Sequence, residues 1–247
     1  MAVDDGQCGL TCLAAKGGHL DIIKWARERD FLWNSLTCAF AAVGGQLETL
    51  KWLRANGCDW DELTCTYAAE SGNLEVLKWA RANGCDWNQN TCAYAAEGGH
   101  FEILKWARAN GCPWSNSTCA YAASEGHLHI LQWARNNGCE WDRRTCAYAA
   151  GEGHLEVLKW ARENGCEWDI NTTLNAGSKG KLEVLKWAVK NGCPWDGGVT
   201  CAYAVKSGNM EMLKWTKETG CDWDKEYCLS LALRYARDEM AFWINKQ

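Results

Sequence analysis

This sequence of 247 residues has few prolines, no long apolar run and no surplus of positive charge. Its longest apolar runs contain only a few residues, whereas a membrane-spanning helix needs about 20. The first ten residues, MAVDDGQCGL, have neither the basic nor the apolar region of a secretory signal peptide. We therefore expect no membrane as a partner and a cytoplasmic location, in a reducing compartment of the cell.

Basic residues do not outnumber acidic ones. The chain has 26 lysines and arginines against 31 aspartates and glutamates, and the two signs are interleaved along the whole sequence. Binding to nucleic acid depends on a basic surface that neutralises phosphates, so the charge pattern argues against a nucleic-acid partner. With only two prolines and 47% hydrophobic residues, the composition favours a packed helical protein over a disordered chain.

The most prominent feature that is present is an internal repeat of about 27 residues. Thr-Cys pairs mark it at Cys12, Cys38, Cys65, Cys92, Cys119, Cys146 and Cys201, with Thr172-Thr173 and Tyr227-Cys228 in the same register. One step is longer because Gly197-Gly198 adds a residue to a connecting loop. The repeat predicts one continuous domain, residues 1–247, of about eight to nine repeats in a monomeric chain. It leaves no room for a separate catalytic domain.

Each repeat begins with a helix-capping signal. The residue after the first tryptophan is always Asn, Asp or Ser, which are good N-caps; these positions are Asn34, Asp61, Asn88, Ser115, Asp142, Asp169, Asp196 and Asp224. In the repeat that starts at Trp87, a short first helix of small residues should end at Gly98-Gly99. A second helix should extend from about His100 to Asn110 and end at Gly111.

The second helix has a broad apolar face and a charged face. Glu102 and Lys105 lie three residues apart, and we interpret such pairs as a solvated, stabilising surface. A helix of this length is not stable alone, and one helix pair cannot enclose its own apolar face. The sequence therefore predicts an all-α fold, an α-solenoid of stacked antiparallel helix pairs. The tryptophan rows, such as Trp79 and Trp106 with Trp87 and Trp114, are predicted to be core.

The order of residues within the repeat resembles the ankyrin repeat. The stretch EGHLEVLKWARENGCEWD, Glu152–Asp169, is similar to the ankyrin pattern G-H-L-E-V-V-K-L-L-L followed by G-A-D-V-N. The repeat is shorter than the usual length of about 33 residues, and the loss falls where an ankyrin repeat has its β-hairpin finger. Short repeats rich in cysteine and tryptophan are similar to those of ankyrin-type families in amoebae, algae and giant viruses.

This resemblance implies a protein–protein interaction scaffold that binds a protein partner through first-helix and loop residues, without catalysis or a cofactor. In a repeat protein, the residues that vary on a constant frame are free to select a partner. Here they are Glu62, Glu70, Gln89, Glu97, Asn116, Ser124, Arg143, Arg144, Glu152, Lys179 and Lys206. The acidic members come mostly early in the chain and the basic ones later.

The sixteen cysteines are open to three interpretations. A disulfide could join each turn cysteine to the helix cysteine seven residues later, as Cys112 to Cys119, although Cys166 would then face Thr173. A zinc site would normally show paired ligand spacing, which the sequence lacks. We favour buried, reduced thiols that act as small hydrophobic residues. A cysteine-based metal-binding or redox-buffering protein is the alternative function.

An enzyme would need an asymmetric group of reactive side chains, visible as a local break in the repeat. The sequence shows no such break. His129 is the only histidine outside the repeat position, and it has no candidate nucleophile beside it, so we interpret it as an exposed helix residue. The sequence therefore predicts that the protein is not an enzyme.

Overall fold

The computed structural model describes the backbone of residues 5–247 and the side chains from Gly9 onward. Within these residues every regular element is an α-helix, and no strand occurs. The signal-peptide prediction for MAVDDGQCGL falls largely outside the described residues, as does the side chain of Cys8. Among the helices that the structure describes, none has both the length and the hydropathy to cross a membrane.

The helices follow one another as pairs, a first helix and a second helix in each repeat. In chain order they are α1 (Asp5–Gly17) and α2 (Leu20–Arg27), α3 (Ser35–Val43) and α4 (Leu47–Ala55), α5 (Glu62–Glu70) and α6 (Leu74–Ala82), α7 (Gln89–Glu97) and α8 (Phe101–Ala109), α9 (Asn116–Ser124) and α10 (Leu128–Asn136), α11 (Arg143–Glu152) and α12 (Leu155–Glu163), α13 (Ile170–Ser178) and α14 (Leu182–Lys190), α15 (Gly197–Ser207) and α16 (Met210–Glu218), and α17 (Lys225–Arg234) and α18 (Asp238–Asn245). The predicted helix pairs are confirmed.

The first helix begins where the capping residues predicted it. The Asn88 side chain accepts a hydrogen bond from the backbone N–H of Asn90 at 2.9 Å, and the side chains of the other seven predicted N-caps accept an equivalent bond. Each bond satisfies an N–H that the helix itself leaves unpaired. The Gly-Gly break also acts as predicted, but only its second residue, Gly99, takes a left-handed conformation, with φ of 75°.

The second helix is bounded by Gly99 and Gly111, both with positive φ. Its charged face is confirmed as exposed ion pairs, for example Lys105 Nζ to Glu102 Oε1 at 2.6 Å. Exposed pairs of this kind are worth only a few tenths of a kcal/mol, about 0.3–0.5. The face therefore adds little stability, and the helix depends on burial of its other side.

The described chain forms two compact units. The N-terminal unit extends up to Ala122 and also includes His129–Glu140; the C-terminal unit consists of Ala123–Leu128 and Trp141–Gln247. In the N-terminal unit the first helices α1, α3, α5 and α7 contact one another in sequence, and in the C-terminal unit α11, α13, α15 and α17 do the same. Each unit is built as an α-solenoid of stacked helix pairs. The prediction of one domain over residues 1–247 stays a prediction.

The core consists of small side chains from the first helices and branched ones from the second. Ala95, Ala96 and Cys92 of α7 and Leu104 of α8 are completely buried. Small residues let neighbouring helix backbones approach closely, and each leucine adds about 1.5–3 kcal/mol of apolar burial. This pattern recurs in each repeat, so the cores of the repeats form a continuous row within each unit.

The tryptophans are not part of this core, and the prediction that their rows are core is wrong. Every described tryptophan is half-buried except Trp25, which is exposed. The ring of Trp106 lies edge-on to that of Trp87, with centroids 5.8 Å apart. A tryptophan is too large for the space between closely stacked small-residue helices, so it lies over the edge of that core instead.

Candidate functional site

The residues predicted to bind a partner lie at two opposite ends of the first helices. Glu62, Gln89, Asn116, Arg143 and Arg144 occupy the first turn. The other predicted residues, Glu70, Glu97, Ser124, Glu152, Lys179 and Lys206, lie at or just beyond the last turn. A nine-residue helix separates its ends by about 12 Å, because each residue advances the chain by 1.5 Å. The structure therefore divides the prediction into a start group and an end group.

The start group is charged and partly self-paired in the C-terminal unit. Arg143 Nε lies 3.4 Å from Asp169 Oδ2, and Arg144 Nη2 lies 3.0 Å from Asp142 Oδ2. Arg143 also lines an open depression of about 370 Å³ with Trp141 and Glu167. Because both arginines already face carboxylates, their charge is partly neutralised within the chain.

In the N-terminal unit the end group lies beside a row of tyrosines. Tyr67, Tyr94 and Tyr121 occupy equivalent positions three residues after the buried threonine of each first helix. The rings of Tyr94 and Tyr121 meet edge-on at 5.7 Å. Burial, followed by the neighbouring Tyr121 and the carboxylate of Glu97, raises the pKa of Tyr94. The row is a half-buried aromatic strip with acidic residues at its edge.

In the C-terminal unit three predicted residues come together around one cavity. Ser124, Glu152 and Lys179 line a space of about 290 Å³. The other lining residues are Tyr148, Gly151 and Asn175. An ion pair between Lys179 Nζ and Glu152 Oε1 closes one side, and Asn175 Nδ2 donates to the carbonyl of Ala147 at 3.2 Å. We call this space the end-group cavity.

The end-group cavity exists because the repeat is interrupted there. Asn175 stands where other repeats have the tyrosine, and Gly151 stands where an earlier repeat has Glu97. A Cβ at Gly151 would lie 3.1 Å from the Cβ of Asn175, so even one added methyl group would crowd the cavity floor. Two small side chains in place of two large ones therefore open a concave surface between otherwise regular helices.

Sequence reasoning missed Tyr148 and Asn175. The signal was present, because an aromatic residue recurs three positions after the buried threonine from Phe40 to Tyr148, and Asn175 interrupts it. That position falls within the stretch of mainly small residues that predicts the first helix. Lys206 remains exposed but does not line the cavity.

A second set of depressions lies on the second-helix side. In the N-terminal unit one of them, of about 310 Å³, is lined by Lys105, Arg108, Trp114 and Trp133, among others. The Arg108 guanidinium lies 4.1 Å from the ring of Trp114, and its Nη1 donates to the carbonyl of Cys112. The arginine thus stabilises the turn by a cation–π contact and a hydrogen bond. The same arrangement recurs at Arg54 and Arg81 and at Arg162.

The cysteines occupy buried positions, as predicted. Among the cysteines with described side chains only Cys221 is partly exposed, and all are free thiols. The turn cysteine Cys112 neighbours the helix cysteine Cys92 of its own repeat, so the pairing of Cys112 with Cys119 considered from the sequence is wrong. A hydrogen bond with Cys112, together with burial, raises the pKa of Cys92. The hydrogen bond from Cys92 and then the charge of Arg108 lower the pKa of Cys112.

The turn cysteine also has a structural role. The Cys112 thiol donates to the carbonyl of Asn88, the N-cap of the same repeat, at 3.4 Å. Five other turn cysteines, Cys58, Cys85, Cys139, Cys166 and Cys193, make the same contact at 3.2–3.4 Å. The thiol therefore connects the end of each of these repeats to its beginning, a contact that a methyl group could not make.

Histidines at the start of the second helix contact the preceding repeat. His100 Nε2 lies 2.9 Å from the carbonyl oxygen of Glu70, and in the equivalent position Asn73 donates to the carbonyl of Ala42 at 2.8 Å. This polar position therefore provides a hydrogen-bond partner for a carbonyl group at the end of a neighbouring first helix.

In the described part of the chain, no three side chains of His, Cys, Asp or Glu are grouped so that they could hold a metal ion. His129 is exposed, as predicted, and its ring lies 5.4 Å from that of Phe101.

The sequence matches a known family over part of its length. The family model for ankyrin repeats in many copies matches residues 36–79 and 65–108. These segments cover α3 to α8, whose helix pairs have the same construction as those that follow. None of the curated proteins matches the sequence significantly.

A solved structure has a similar fold. The crystal structure of the human ASB11 ankyrin repeat domain is similar to 64% of this chain and 84% of its own, with a TM-score of 0.50 and 17% sequence identity. An identity this low supports the fold alone. The two comparisons agree with the resemblance found in the repeat pattern.

Proposed function

We propose that this chain, whose residues 36–108 match the family model for ankyrin repeats and whose repeat is about 27 residues long, is a scaffold that binds a protein partner through the ends of its first helices. Ankyrin repeats are generally protein–protein interaction modules. The observation that supports the proposal best is the end-group cavity, where two substitutions in a regular frame open a concave surface. The proposal includes no reaction, and it keeps the cytoplasmic location and monomeric state predicted from the sequence.

The end-group cavity suits a peptide side chain. At about 290 Å³ it lies at the lower limit of ligand pockets, which are typically about 300–1,000 Å³. Ser124 and Tyr148 provide hydroxyl groups, and Asn175 provides an amide, so the wall can both donate and accept hydrogen bonds. The Tyr148 ring adds an apolar surface. A side chain with an apolar body and a polar end therefore matches the chemistry of this cavity.

The ion pair at the rim contributes orientation more than affinity. Glu152 and Lys179 are partly exposed and face each other, so each charge is screened by its partner and by solvent. A partner with a charge near the inserted side chain would contact one member of the pair and be repelled by the other. Charges at a rim act mainly on specificity and on the rate of association.

Replacing Asn175 with tyrosine tests this proposal. The variant restores the residue that most other repeats have, so the fold should tolerate it, while the added ring fills the cavity. Peptides are first selected on the wild-type chain from a random-sequence library, and their affinity is measured by calorimetry. We expect Asn175→Tyr to weaken binding at least about tenfold, which corresponds to about 1.4 kcal/mol.

Two further variants make the result specific. Glu156→Gln removes an exposed charge on the second helix of the same unit and should leave binding unchanged, because its ion pair with Lys159 is on the surface. The double variant Arg143→Ala with Arg144→Ala tests the start group. If the selected peptides bind Asn175→Tyr as well as the wild type, the end-group cavity is not the site. If only the arginine variant fails, the start group is the binding surface.

A further inference from the structure

Two cysteine sulfurs are in contact where the turn after α16 lies against α15. Cys201 of α15 and Cys221, in the turn after α16, have Sγ atoms 3.5 Å apart. Cys221 is also the one cysteine among those with described side chains that is not buried. Contact between two thiols and access from solvent are therefore combined at this pair.

An irregularity in the repeat creates this arrangement. Gly197 and Gly198, which add one residue to this repeat, begin α15 and do not lengthen a connecting loop as the sequence predicted. A Cβ at Gly197 would lie 2.2 Å from the Cβ of Cys221, which is too close for two non-bonded carbon atoms. The turn that carries Cys221 can therefore occupy this position only because residue 197 is glycine. Cys221 contacts Cys201. In a regular repeat Cys112 also neighbours Cys92, but its thiol donates to the carbonyl of its N-cap.

The turn that carries Cys221 is also held less tightly than its counterparts. Its backbone N–H donates to the carbonyl of Thr216 at 3.4 Å, whereas the same bond in the repeats that end at Cys58, Cys85, Cys112, Cys139, Cys166 and Cys193 measures 2.9–3.0 Å. A disulfide requires about 2.05 Å between the sulfurs, so the pair must close by about 1.5 Å. We therefore assign this closure to the weakly bonded turn.

We propose that Cys201 and Cys221 form a reversible disulfide when the protein meets a peroxide. The sulfur of Cys221, after losing its proton, attacks one oxygen of hydrogen peroxide; the O–O bond breaks, and the released hydroxide takes up a proton to become water. The product is a sulfenic acid on Cys221. The sulfur of Cys201 then loses its proton and attacks the Cys221 sulfur, so the S–O bond breaks and a second water leaves. Two thiols and one peroxide thus yield one disulfide and two waters.

The order of attack follows from the surroundings of the two thiols. Cys201 is completely buried, donates a hydrogen bond to Thr216 Oγ1 at 3.0 Å, and burial raises its pKa to about 12. A buried, protonated thiol reacts slowly with a dissolved oxidant. Cys221 is therefore the residue that meets the peroxide, and Cys201 is the residue that resolves the intermediate. The bond would join the first turns of α15 to the end of α16.

Limited oxidation of the full chain tests this inference. The protein is treated with hydrogen peroxide, alkylated after unfolding, digested with trypsin and analysed by mass spectrometry. We expect a peptide pair linked through Cys201 and Cys221 that disappears after treatment with a dithiol reductant. Because Cys193 lies on the same tryptic peptide as Cys201, fragment spectra must identify the bonded sulfur. The Cys92–Cys112 pair, which is completely buried, should oxidise at least about tenfold more slowly.

Two serine variants provide the controls. Cys221→Ser should abolish the linked peptide and leave Cys201 reduced, whereas Cys112→Ser, in a regular turn, should leave the Cys201–Cys221 link unchanged. The inference is overturned if Cys92 and Cys112 become linked as fast as Cys201 and Cys221. It is also overturned if Cys221 is oxidised to a sulfinic acid without any link. The wild-type measurement decides the matter even if a variant does not fold.

Discussion

Replacing Leu104 with alanine is expected to lower the free energy of unfolding by about 2–5 kcal/mol. Leu104 is completely buried in α8, which packs against α7, whose buried residues are one threonine, one cysteine and three alanines. These small neighbours have few rotamers with which to fill the space that the leucine leaves, so the cavity should persist. Urea unfolding followed by circular dichroism measures the change.

The same substitution at an exposed leucine is the matched control. Leu233 in α17 has 63% of its surface exposed, and Leu233→Ala should change the free energy of unfolding by less than about 0.5 kcal/mol. Because repeats are stabilised by their neighbours, the Leu104 variant should also unfold in a broader transition, with the affected repeat opening first. Equal losses in the two variants would mean that the second-helix leucines do not form the core described above.

Replacing Trp106 with alanine is expected to lower the free energy of unfolding by about 2–3 kcal/mol. Replacing a fully buried tryptophan with alanine costs about 3–5 kcal/mol, and Trp106 is only half-buried. Its edge-on contact with Trp87, at 5.8 Å, contributes about 0.5–1.5 kcal/mol of this total. Thermal unfolding of the variant, compared with the wild type at one protein concentration, measures the effect.

Trp25 provides the comparison for this prediction. It occupies the same position of the second helix in the first repeat, but its ring neighbour is Phe31, at 5.8 Å and tilted, and not a turn tryptophan, and 45% of its surface is exposed. Trp25→Ala should cost only about 1 kcal/mol. A loss at Trp106 no greater than the loss at Trp25 would show that the pairs of turn and second-helix tryptophans add nothing to stability.

Much of the fold could be predicted from the sequence because the signals for each helix are local. An N-cap such as Asn88 acts on a backbone N–H two residues away, and a glycine such as Gly111 ends a helix through its own φ angle. Repetition strengthened these signals. The repeat length, the helix pairs and the stacked arrangement followed from them. Buried cysteines were favoured because their spacing suited neither regular disulfides nor zinc.

The candidate site was predictable only in part. Ser124, Glu152 and Lys179 were selected because they vary, and the structure places them around one cavity. Arg143 belongs instead to the other end of the helices. Variation in a sequence shows which positions are free to change, but it does not show the distance between them. Asn175 was missed because it acts by leaving a space that a tyrosine fills in most other repeats.

One wrong prediction, the tryptophan rows, and one alternative that was not favoured, the pairing of Cys112 with Cys119, fail for the same physical reason. Periodicity indicated that the tryptophans lie on the inner side of the second helix, but it carried no information on the space available there. Spacing along the chain suggested Cys112 and Cys119 as neighbours, whereas the antiparallel helices bring Cys112 back to Cys92. In both cases the outcome depended on how closely adjacent helices approach.

By itself, the sequence determined the repeat, its two helices, the caps at both ends and the apolar face that forces the repeats to stack. These features depend on interactions within a few residues, which the order of amino acids specifies directly. Only the tertiary structure decided that His100 reaches back to the carbonyl of Glu70, that the tryptophans cover the edge of the core, and that Cys221 lies against Cys201. Those contacts join residues at least 19 positions apart, and the packing of the small side chains between the helices fixes their geometry.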